Sequence, residues 1–372
     1  MALRYLLPGQ MHFMQENGFD VVMISANGSE LPAIIENEQC RHIIVPMTRK
    51  ITPLRDLKCL FQLIRIFRKE RPDIVHTHTP KAGLLGMLAA RYCGIKVRIH
   101  TVAGLPMMVE SGIKYQVLKL TEKITYKAAT NVWPNSNSLL QFILQRHMAK
   151  PAKLNIIAMG STNGIDLGRF NSNVLDEKII EEIKATINYS TQNKYLLCIG
   201  RLVADKGIVP LVNVFARLQK NNNDLRLVLV GDYEDTLDPL PAATVKEIGN
   251  NSAIIHIGWT NLVEYYMHLA NYFIFPSRRE GFPNVLLQAG AMGLPVICSR
   301  IAGNVDIITH NQTGLIFDDG DEQQMFDMAT YAIANPQVMQ AMAKKLKEVI
   351  NSDYRRENIW QKILAAYKSA LN

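Results

Sequence analysis

The chain has 372 residues, of which 48% are hydrophobic and 20% are charged, which is the composition of an ordinary globular protein. Its length predicts two domains. No apolar run reaches the about 18 to 20 residues that cross a bilayer, and the N-terminal residues lack a signal-peptide pattern, so a cytoplasmic protein is expected.

Positive charge is concentrated in the first half of the chain. Residues 1–165 carry 21 Lys and Arg against 10 Asp and Glu, whereas the remaining residues carry 20 against 23. Much of the excess lies in the amphipathic segments 49–72 and 114–127. These segments are either solvated helix faces or a docking surface for an anionic membrane, worth about 1 kcal/mol per basic residue near the lipid. Nucleic acid is disfavoured as a partner, because no nucleic-acid-binding motif is present.

Short apolar or β-branched runs alternate with longer helical patterns along the chain. The predicted strands lie at residues 20–26, 42–47, 73–78, 96–102, 131–136, 153–159, 195–200, 225–231, 253–258, 271–277, 294–299 and 313–317. Strands that are apolar on both faces and separated by helices predict parallel sheets. The pattern therefore indicates an α/β protein with two Rossmann-like, doubly wound domains.

A polar turn at residues 163–178 separates the two series of strands. It predicts an N-terminal domain over 1–165, a C-terminal domain over 166–352, and a final helix, 353–372, that packs back toward the N-terminal domain. Ligands of open α/β sheets bind outside the carboxyl ends of the strands, so two domains facing each other would place a ligand in the cleft between them.

The first residues raise a separate expectation. The stretch "LLPGQMHFMQENGFDVVMISA" reads as the end of a glycine-rich turn, a first helix and a second strand, so the central first strand is missing. We expect either that translation begins about a dozen residues upstream, one strand plus part of its loop, or that the N-terminal sheet is incomplete.

The stretch "IGRLVADKG" places two cations at the carboxyl end of a predicted strand. Arg201 follows the strand directly, and Lys206 is expected at the start of the next helix. Two cations and free backbone N–H groups at such a position attract an anion, and a diphosphate is the natural candidate. The alternative is a pair of ordinary surface cations.

A second stretch, "SRREGFPNVLLQAGAMGLPVI", predicts an anion-binding turn. Pro283 suits the first turn of a helix, so the N–H groups around Gly281, Phe282 and Asn284 are expected to point toward a phosphate. Gly281 allows a close approach of the ligand. Glu280 is expected to accept hydrogen bonds from sugar hydroxyls, with an ordinary surface carboxylate as the alternative.

These two stretches, in this order, resemble the C-terminal nucleotide-sugar domain of the retaining GT-B glycosyltransferases of family four. The segments "DIVHTHTPKAGLLGMLAAR", "RIHTVAGLP", "PNSNSL" and "GSTNGIDLGRF" are similar to bacterial capsule and O-antigen members, and the match covers almost the whole chain. The resemblance implies that Arg201 and Lys206 clamp the donor diphosphate, Glu280 contacts the transferred sugar, and Phe282, Pro283 and Asn284 form the phosphate-facing turn.

The sequence departs from the family pattern at two site positions. The second acid of the family's Glu-x7-Glu pattern, which holds the ribose hydroxyls, falls on Gln288. Glutamine keeps an acceptor oxygen, so ribose binding is still expected there. Ala103 stands where family members often have a His that contacts the donor sugar, and we do not assign that role to His100. Catalysis is then expected to rest on stabilisation of the leaving group by Arg201, Lys206 and the helix N-terminus.

Metal binding is not expected. His76 and His78 alternate along one predicted strand without a clear carboxylate partner, and the acidic turn 318–321 is better explained by N-capping. The five cysteines are scattered and form no Cys-x-x-Cys pair, which indicates neither zinc nor disulfides. The resemblance implies an enzyme without a metal or other cofactor. His76, His78 and Lys81 are instead expected near an acceptor or phosphate.

The sequence predicts a retaining glycosyltransferase that moves a hexose or N-acetylhexosamine from a nucleotide-diphosphate sugar to a lipid-linked saccharide. Its product would be a capsule, O-antigen or related surface polysaccharide, and its N-terminal domain would meet the inner face of the plasma membrane. Two alternatives stay open: a nucleotide-sugar epimerase of the same fold, and a catalytically degenerate nucleotide-sugar-binding protein. A nicotinamide dehydrogenase is disfavoured, because no Gly-x-Gly-x-x-Gly follows a strand with an acid about 20 positions later.

Overall fold

The computed structural model describes residues 2–48, 52–234 and 238–372. It divides into two compact units. The N-terminal unit consists of Met1–Gly164 together with Arg356–Asn372, and the C-terminal unit is Ile165–Arg355. The chain therefore returns to its first unit after completing the second.

The described part of the N-terminal unit contains the strands β1 (Val22–Ser25), β2 (Arg41–Ile44), β3 (Ile74–Thr77), β4 (Val97–Val102) and β5 (Asn131–Pro134), each paired in parallel with its neighbours. Its first seven helices are α1 (Ala2–Leu6), α2 (Gln10–Glu16), α3 (Leu31–Glu38), α4 (Pro53–Glu70), α5 (Pro80–Tyr92), α6 (Gly112–Ala128) and α7 (Asn137–Gln145). The strands form two separate sheets, β1-β2 and β3-β4-β5, rather than the single sheet that a doubly wound domain implies. The described residues 2–20, ahead of β1, contain helices and no strand.

A carboxylate from another helix caps α2. The residue before α2 is Gly9, which has a left-handed φ of 82° and no side chain to offer. The buried carboxylate of Glu38 instead accepts hydrogen bonds from the N–H groups of Gly9 at 2.6 Å, Met11 at 3.1 Å and His12 at 3.1 Å. A negative charge at this end of a helix also interacts favourably with the helix dipole. Glu38 thereby fixes the end of α3 against the start of α2.

The predicted strand at 153–159 is wrong. Only an isolated bridge forms there, between Leu154 and Val132 of β5. The backbone leaves the extended region a few residues later, since φ is 55° at Ala158 and 101° at Gly160. The apolar run therefore pairs with the edge strand β5 at a single point and does not form a strand of the sheet.

In the C-terminal unit, outside residues 235–237, the structure shows six strands, β6 (Lys194–Ile199), β7 (Leu225–Val230), β8 (Ile254–Ile257), β9 (Tyr272–Phe275), β10 (Val296–Ser299) and β11 (Leu315–Phe317). Its helices are α8 (Glu177–Thr186), α9 (Ile208–Gln219), α10 (Ala242–Asn250), α11 (Val263–Leu269), α12 (Asn284–Met292), α13 (Asn304–Ile307), α14 (Glu322–Ala334) and α15 (Pro336–Asp353). All strands pair in parallel in the order β11-β10-β9-β6-β7-β8. The prediction of a parallel, doubly wound sheet is confirmed for this unit.

Both faces of this sheet are covered by apolar cores. On β6, Leu196 belongs to one core and its neighbour Leu197 to the other, and Ile274 and Phe273 on β9 divide in the same way. Successive strand residues point to opposite faces, and each fully buried side chain of this kind contributes about 1.5–3 kcal/mol. This burial explains why the strands read as unbroken apolar runs.

The last helix, α16 (Arg356–Leu371), completes the N-terminal unit. Ile359 and Ile363 of α16 pack with Ile99 of β4 and Trp133 of β5 in one core. A separate core, which includes residues of α4, α5, α6 and α7, lies against β3, β4 and β5. The β3-β4-β5 sheet is therefore buried between two helical layers, one of them supplied by the end of the chain.

Candidate functional site

The order in which the chain adds strands to the C-terminal sheet reverses between β6 and β9. From β6 the chain builds outward through β7 and β8, then returns to add β9, β10 and β11 on the other side of β6. In open parallel sheets a crevice forms outside the carboxyl ends of the strands at such a switch point. The loop after β6 carries Arg201 and Lys206, and the loop after β9 carries Glu280, so the residues predicted from the sequence flank this point.

The predicted pair of cations is engaged by carboxylates. Arg201 forms an ion pair with Glu234, and Lys206 forms one with Glu280. The guanidinium of Arg201 is about half exposed, which allows it to exchange partners. In the ligand-free chain each cation is therefore paired with its own carboxylate, and their joint binding of a diphosphate stays a prediction.

Lys206 also lies one step earlier than predicted. It ends a short 3-10 turn, Ala204–Lys206, and helix α9 begins after Gly207. Gly207 has a φ of 70°, and a Cβ on it would lie 2.1 Å from the carbonyl oxygen of Pro276 at the end of β9. Only glycine allows this approach, which brings Lys206 to the loop that carries Glu280.

Glu280 is held from two sides. Its Oε1 pairs with Lys206 and also accepts a hydrogen bond of 2.8 Å from the Ser277 hydroxyl. The Lys206 and Glu280 side chains are 19% and 16% exposed, so the pair is shielded from much of the solvent and its attraction is stronger than that of a surface pair. Within the described ranges, Oε2 of Glu280 makes no hydrogen bond, which leaves it available to a hydroxyl.

A second ion pair joins the same two loops. Arg279 Nη2 lies 2.7 Å from Asp205 Oδ2, and the N–H of Arg278 donates to the Asp205 carbonyl at 3.0 Å. These contacts join the residues that precede Lys206 and Glu280 along the chain. The loop geometry around the Lys206–Glu280 pair is therefore fixed before any ligand arrives.

Helix α12 presents its N-terminus beside this loop. The helix begins at Asn284, with Pro283 as its N-cap and no side-chain cap. The N–H of Leu286 donates to the Pro283 carbonyl at 3.0 Å, so the two N–H groups before it remain available to an anion. Phe282 is a core residue whose ring lies 5.6 Å from that of Tyr354, and only its backbone can serve the turn. Gln288 is half-buried one helical turn after Asn284, on the same face.

Gly303 makes room for this turn, and the sequence pattern did not reveal it. Its φ is 85°, and a Cβ on it would lie 2.8 Å from the carbonyl oxygen of Gly281 and 3.1 Å from Pro283 Cδ. Next to it, buried Asn304 donates to the carbonyl of Ser299 at 3.0 Å. Ser299 in turn donates to the carbonyl of Ser277. The end of β10 therefore supports the loop after β9.

Trp259 is a further residue that the sequence pattern did not reveal. It follows β8, and its side chain is 56% exposed although tryptophan is usually buried. The backbone N–H of Trp259 donates to Asp232 Oδ1 at 2.8 Å, which fixes this part of the backbone next to the end of β7. Strands are about 4.8 Å apart, so the ends of β6 and β8 are separated by about 10 Å. The signal in the sequence is an aromatic residue directly after a strand and a glycine.

The three histidines that the sequence singled out, His76, His78 and His100, lie in the interior of the N-terminal unit. His76 contacts Tyr367 at 2.5 Å and Thr101 at 2.7 Å, and burial lowers its pKa well below the usual value. Burial lowers the pKa of His78 to about 3 and that of His100 to about 4. His100 contacts Thr77 at 2.8 Å inside the unit, as expected of a structural residue.

Two other residues that the sequence singled out in the N-terminal unit have local roles. Lys81 forms an ion pair of 2.8 Å with Asp56, and Ala103 follows β4 as a partly exposed residue. Among residues 2–48, 52–234 and 238–372, no three His, Cys, Asp or Glu side chains are grouped so as to hold a metal ion. The expectation of a metal-independent enzyme stays a prediction.

Solved structures with the same architecture define the class of fold. A glycosyltransferase from Rickettsia africae superimposes with a TM-score of 0.82 at 20% identity, covering 98% of this chain and 93% of that one. Anabaena HepE in complex with UDP-glucose gives 0.80 at 15% identity, covering 99% and 96%. The fold is that of the GT-B glycosyltransferases, as the sequence predicted.

Sequence comparisons narrow this class to a family. Residues 179–349 match the family model "Glycosyl transferases group 1", and residues 4–136 match "Glycosyl transferase 4-like". The capsular polysaccharide biosynthesis glycosyltransferase CapM of Staphylococcus aureus is 31% identical over 98% of this chain and 94% of its own length. A UDP-Gal:alpha-D-GlcNAc-diphosphoundecaprenol alpha-1,3-galactosyltransferase of Escherichia coli is 26% identical over 92% and 87%.

The chain belongs to the GT-B glycosyltransferases of family four. It is therefore a glycosyltransferase, which favours that interpretation over the epimerase and the non-catalytic binding protein. None of the described helices is both long enough and apolar enough to span a membrane.

Proposed function

We propose that this enzyme is a retaining glycosyltransferase that moves a hexose or N-acetylhexosamine from a nucleoside-diphosphate sugar to a lipid-linked saccharide of a surface polysaccharide. The observation that carries the proposal is the Lys206–Glu280 pair at the switch point of the C-terminal sheet, next to the N-terminus of α12. It sets a cation for phosphate beside a carboxylate for sugar hydroxyls.

The donor would lie along the carboxyl edge of the C-terminal sheet. Lys206, Arg201 and the first N–H groups of α12 bind the diphosphate, and Oε2 of Glu280 accepts a hydroxyl of the sugar. Gln288, on the outward face of α12, binds the ribose. Trp259 stacks on the base, since the about 10 Å between the ends of β6 and β8 matches the length of a nucleoside.

The chemistry proposed is departure of the diphosphate and attack from the same side. The bond between the anomeric carbon and the diphosphate oxygen breaks, and its electrons pass to the diphosphate. Lys206, Arg201 and the start of α12 stabilise the charge that develops, which is commonly the largest catalytic contribution. The acceptor hydroxyl forms the new bond and transfers its proton to the departing oxygen. Glu280, engaged by Lys206 and Ser277, orients the sugar. No metal or other cofactor takes part.

The acceptor is assigned by what two relatives act on. One relative uses an N-acetylglucosamine diphosphoundecaprenol acceptor by name, and another adds N-acetylgalactosamine to a diphospho-undecaprenol-linked saccharide. We assign a lipid-linked saccharide to this enzyme on that basis. The basic N-terminal unit would bring the enzyme to the cytoplasmic face of the plasma membrane as a peripheral protein, without involving nucleic acid.

A transfer assay tests the proposal. The purified protein is incubated with uridine, guanosine or thymidine diphosphate sugars and an undecaprenyl-diphosphate-linked N-acetylhexosamine, and the product anomer is read by NMR. One donor should be consumed with retention, and Lys206→Ala should lower its kcat/KM by at least about tenfold. The matched control is Lys246→Ala, an exposed lysine on α10, with unchanged rates. Inversion at the anomeric carbon, or equal rates for both variants, would refute this assignment.

A further inference from the structure

Helix α6 exposes a continuous apolar stripe. Ile113, Val117, Leu120 and Ile124 are all exposed large hydrophobic residues. Their spacings of four, three and four residues place them on one face of a helix. Single exposed apolar residues are normal on a protein surface, but an aligned row marks an interaction site.

Helix α4 repeats this arrangement. Leu54, Leu57 and Phe61 are exposed at spacings of three and four residues. Both helices pack on α5, so they flank the same element of the N-terminal unit. The two stripes are therefore features of one side of this unit.

The exposed face of both helices is basic. On α6, Lys114 and Lys127 are exposed, and the helix's one acid, Glu122, is buried. Lys114 pairs with Glu110, which precedes the helix, whereas Lys127 has no acid of α6 beside it on the surface. On α4, exposed Arg55 and Lys58 lie beside the apolar row, and the exposed side chains of Arg65, Arg68 and Lys69 follow it toward the end of the helix. The two acids of α4 form ion pairs with residues outside the helix: Asp56 with Lys81 at 2.8 Å, and Glu70 with Arg41 at 3.0 Å. They therefore do not pair with the exposed basic side chains of α4.

An exposed apolar row with basic side chains beside it favours an anionic membrane as the binding partner. A second copy of the chain would bring its own lysines against these lysines, which is unfavourable. An anionic bilayer supplies both an apolar interior for the stripes and negative headgroups for the cations. The surface fits a lipid membrane better than a protein partner of the same charge.

Exposure is greatest where the helices begin. Ile113 is 85% exposed and Ile124 38%, and Leu54 is 83% exposed and Phe61 57%. Helix α4 leads into β3, and α6 into β5, through connections of only a few residues. The ends of these helices therefore lie near the amino ends of the strands, and their starts lie toward the carboxyl edge of the sheet.

Helices α4 and α6 are longer than the strands that follow them. Helix α4 has 18 residues and α6 has 17, so each is about 25 Å long. Strands β3 and β5 have 4 residues each and span about 13 Å. The first turns of both helices therefore extend beyond the carboxyl edge of the β3-β4-β5 sheet.

We propose that the first turns of α4 and α6 penetrate the headgroup region of an anionic bilayer, so that the carboxyl edge of the β3-β4-β5 sheet faces the lipid. Apolar contact by Ile113 and Leu54 anchors this end, and the basic side chains nearest to it on α4, Arg55 and Lys58, hold the headgroups around it. The inference rests on the proposed function in one respect: a lipid-linked acceptor would then present its saccharide directly at the ligand edge of this sheet.

Vesicle flotation tests the docking surface. The full chain is mixed with vesicles of equal parts phosphatidylcholine and phosphatidylglycerol, or of phosphatidylcholine alone. We expect binding to the anionic vesicles only, reduced at least about tenfold in the Leu54→Ser/Ile113→Ser variant. The matched control is Val174→Ser, an exposed apolar residue of the C-terminal unit, which should bind as the unchanged chain does. Equal binding by both variants, or equal binding to both vesicles, overturns the proposal.

Depth-dependent quenching tests the orientation. Ile113→Trp and Ile124→Trp variants are compared on anionic vesicles that contain brominated acyl chains. Stronger quenching at position 113 is expected, and equal or stronger quenching at position 124 overturns the edge-on orientation. Donor binding is measured in the same preparations by thermal shift. A donor shift without vesicle binding contradicts only this inference, whereas vesicle binding without any donor shift contradicts only the proposed function.

Discussion

Lys206 and Glu280 are 74 positions apart in sequence and form an ion pair that joins the loops after β6 and β9. In the proposed reaction these two residues have different ligands, phosphate for the lysine and sugar for the carboxylate. Their contact in the ligand-free chain means that donor binding must rearrange the pair or build on it.

Glu280→Gln should therefore separate nucleotide binding from transfer. The amide keeps the shape but releases Lys206 and removes a negative charge near the diphosphate, so the nucleoside diphosphate product should bind a few-fold more tightly. Transfer should fall by at least about tenfold, because a charged hydrogen bond to the sugar is lost. Calorimetric titration with the diphosphate and the kcat of transfer measure the two effects. Weaker diphosphate binding in the variant would show that Glu280 does not restrain Lys206.

Gly303→Ala should damage both stability and donor binding. The left-handed φ of 85° and the contact of 2.8 Å between the new Cβ and the Gly281 carbonyl predict a loss of about 1–3 kcal/mol in the free energy of unfolding. Urea unfolding measures this loss. Gly249→Ala is the control, because Gly249 lies in helix α10 with open space around its Cβ position, and it should gain up to about 1 kcal/mol. Equal changes in the free energy of unfolding for the two substitutions would contradict the steric explanation for Gly303.

Trp259→Ala should weaken binding of the nucleoside diphosphate while leaving inorganic pyrophosphate unaffected. Stacking of a base on an aromatic ring contributes about 1–3 kcal/mol, so the dissociation constant should rise about fivefold to a hundredfold. Trp259→Phe should retain part of the affinity. Quenching of tryptophan fluorescence on nucleotide binding should disappear in both variants, and quenching that persists would place the base elsewhere.

Glu122→Gln should change the pH dependence of stability. Burial raises the pKa of Glu122 from 4.5 to about 7, so between these values the folded chain holds more protons than the unfolded chain, and stability falls as pH rises. The variant lacks this loss, and its advantage should grow from near zero at about pH 4 to the order of 3 kcal/mol at about pH 8. Urea unfolding at both pH values measures it. An advantage of the variant that is the same at both pH values would contradict this prediction.

The sequence predicted the strands of the C-terminal unit well, because a strand buried on both faces must be apolar throughout, as Leu196 and Leu197 show. The same rule failed at 153–159, where the positive φ of Ala158 ends an apolar run that never joins the sheet. Composition does not encode that backbone angle, since alanine seldom adopts it.

The sequence predicted which residues belong to the candidate site, but it did not predict the contacts that these residues make. The pattern placed Arg201, Lys206 and Glu280 at strand ends, which follows from local sequence. Their carboxylate or lysine partners lie tens of positions away, and such pairings depend on how the loops fold. Gly303 and Trp259 were missed for a similar reason, because a steric contact and an exposed ring become visible only in three dimensions.

The return of α16 to the N-terminal unit has a consequence for biosynthesis. Ile359 and Ile363 cover one face of the β3-β4-β5 sheet around Trp133, yet they are translated only after the whole C-terminal unit, Ile165–Arg355. Domains usually fold during synthesis in order from the N-terminus. Here the first-made unit must keep an apolar surface open until the second has been completely translated, so a premature stop before residue 356 would leave the beginning of the protein exposed to chaperones and proteases.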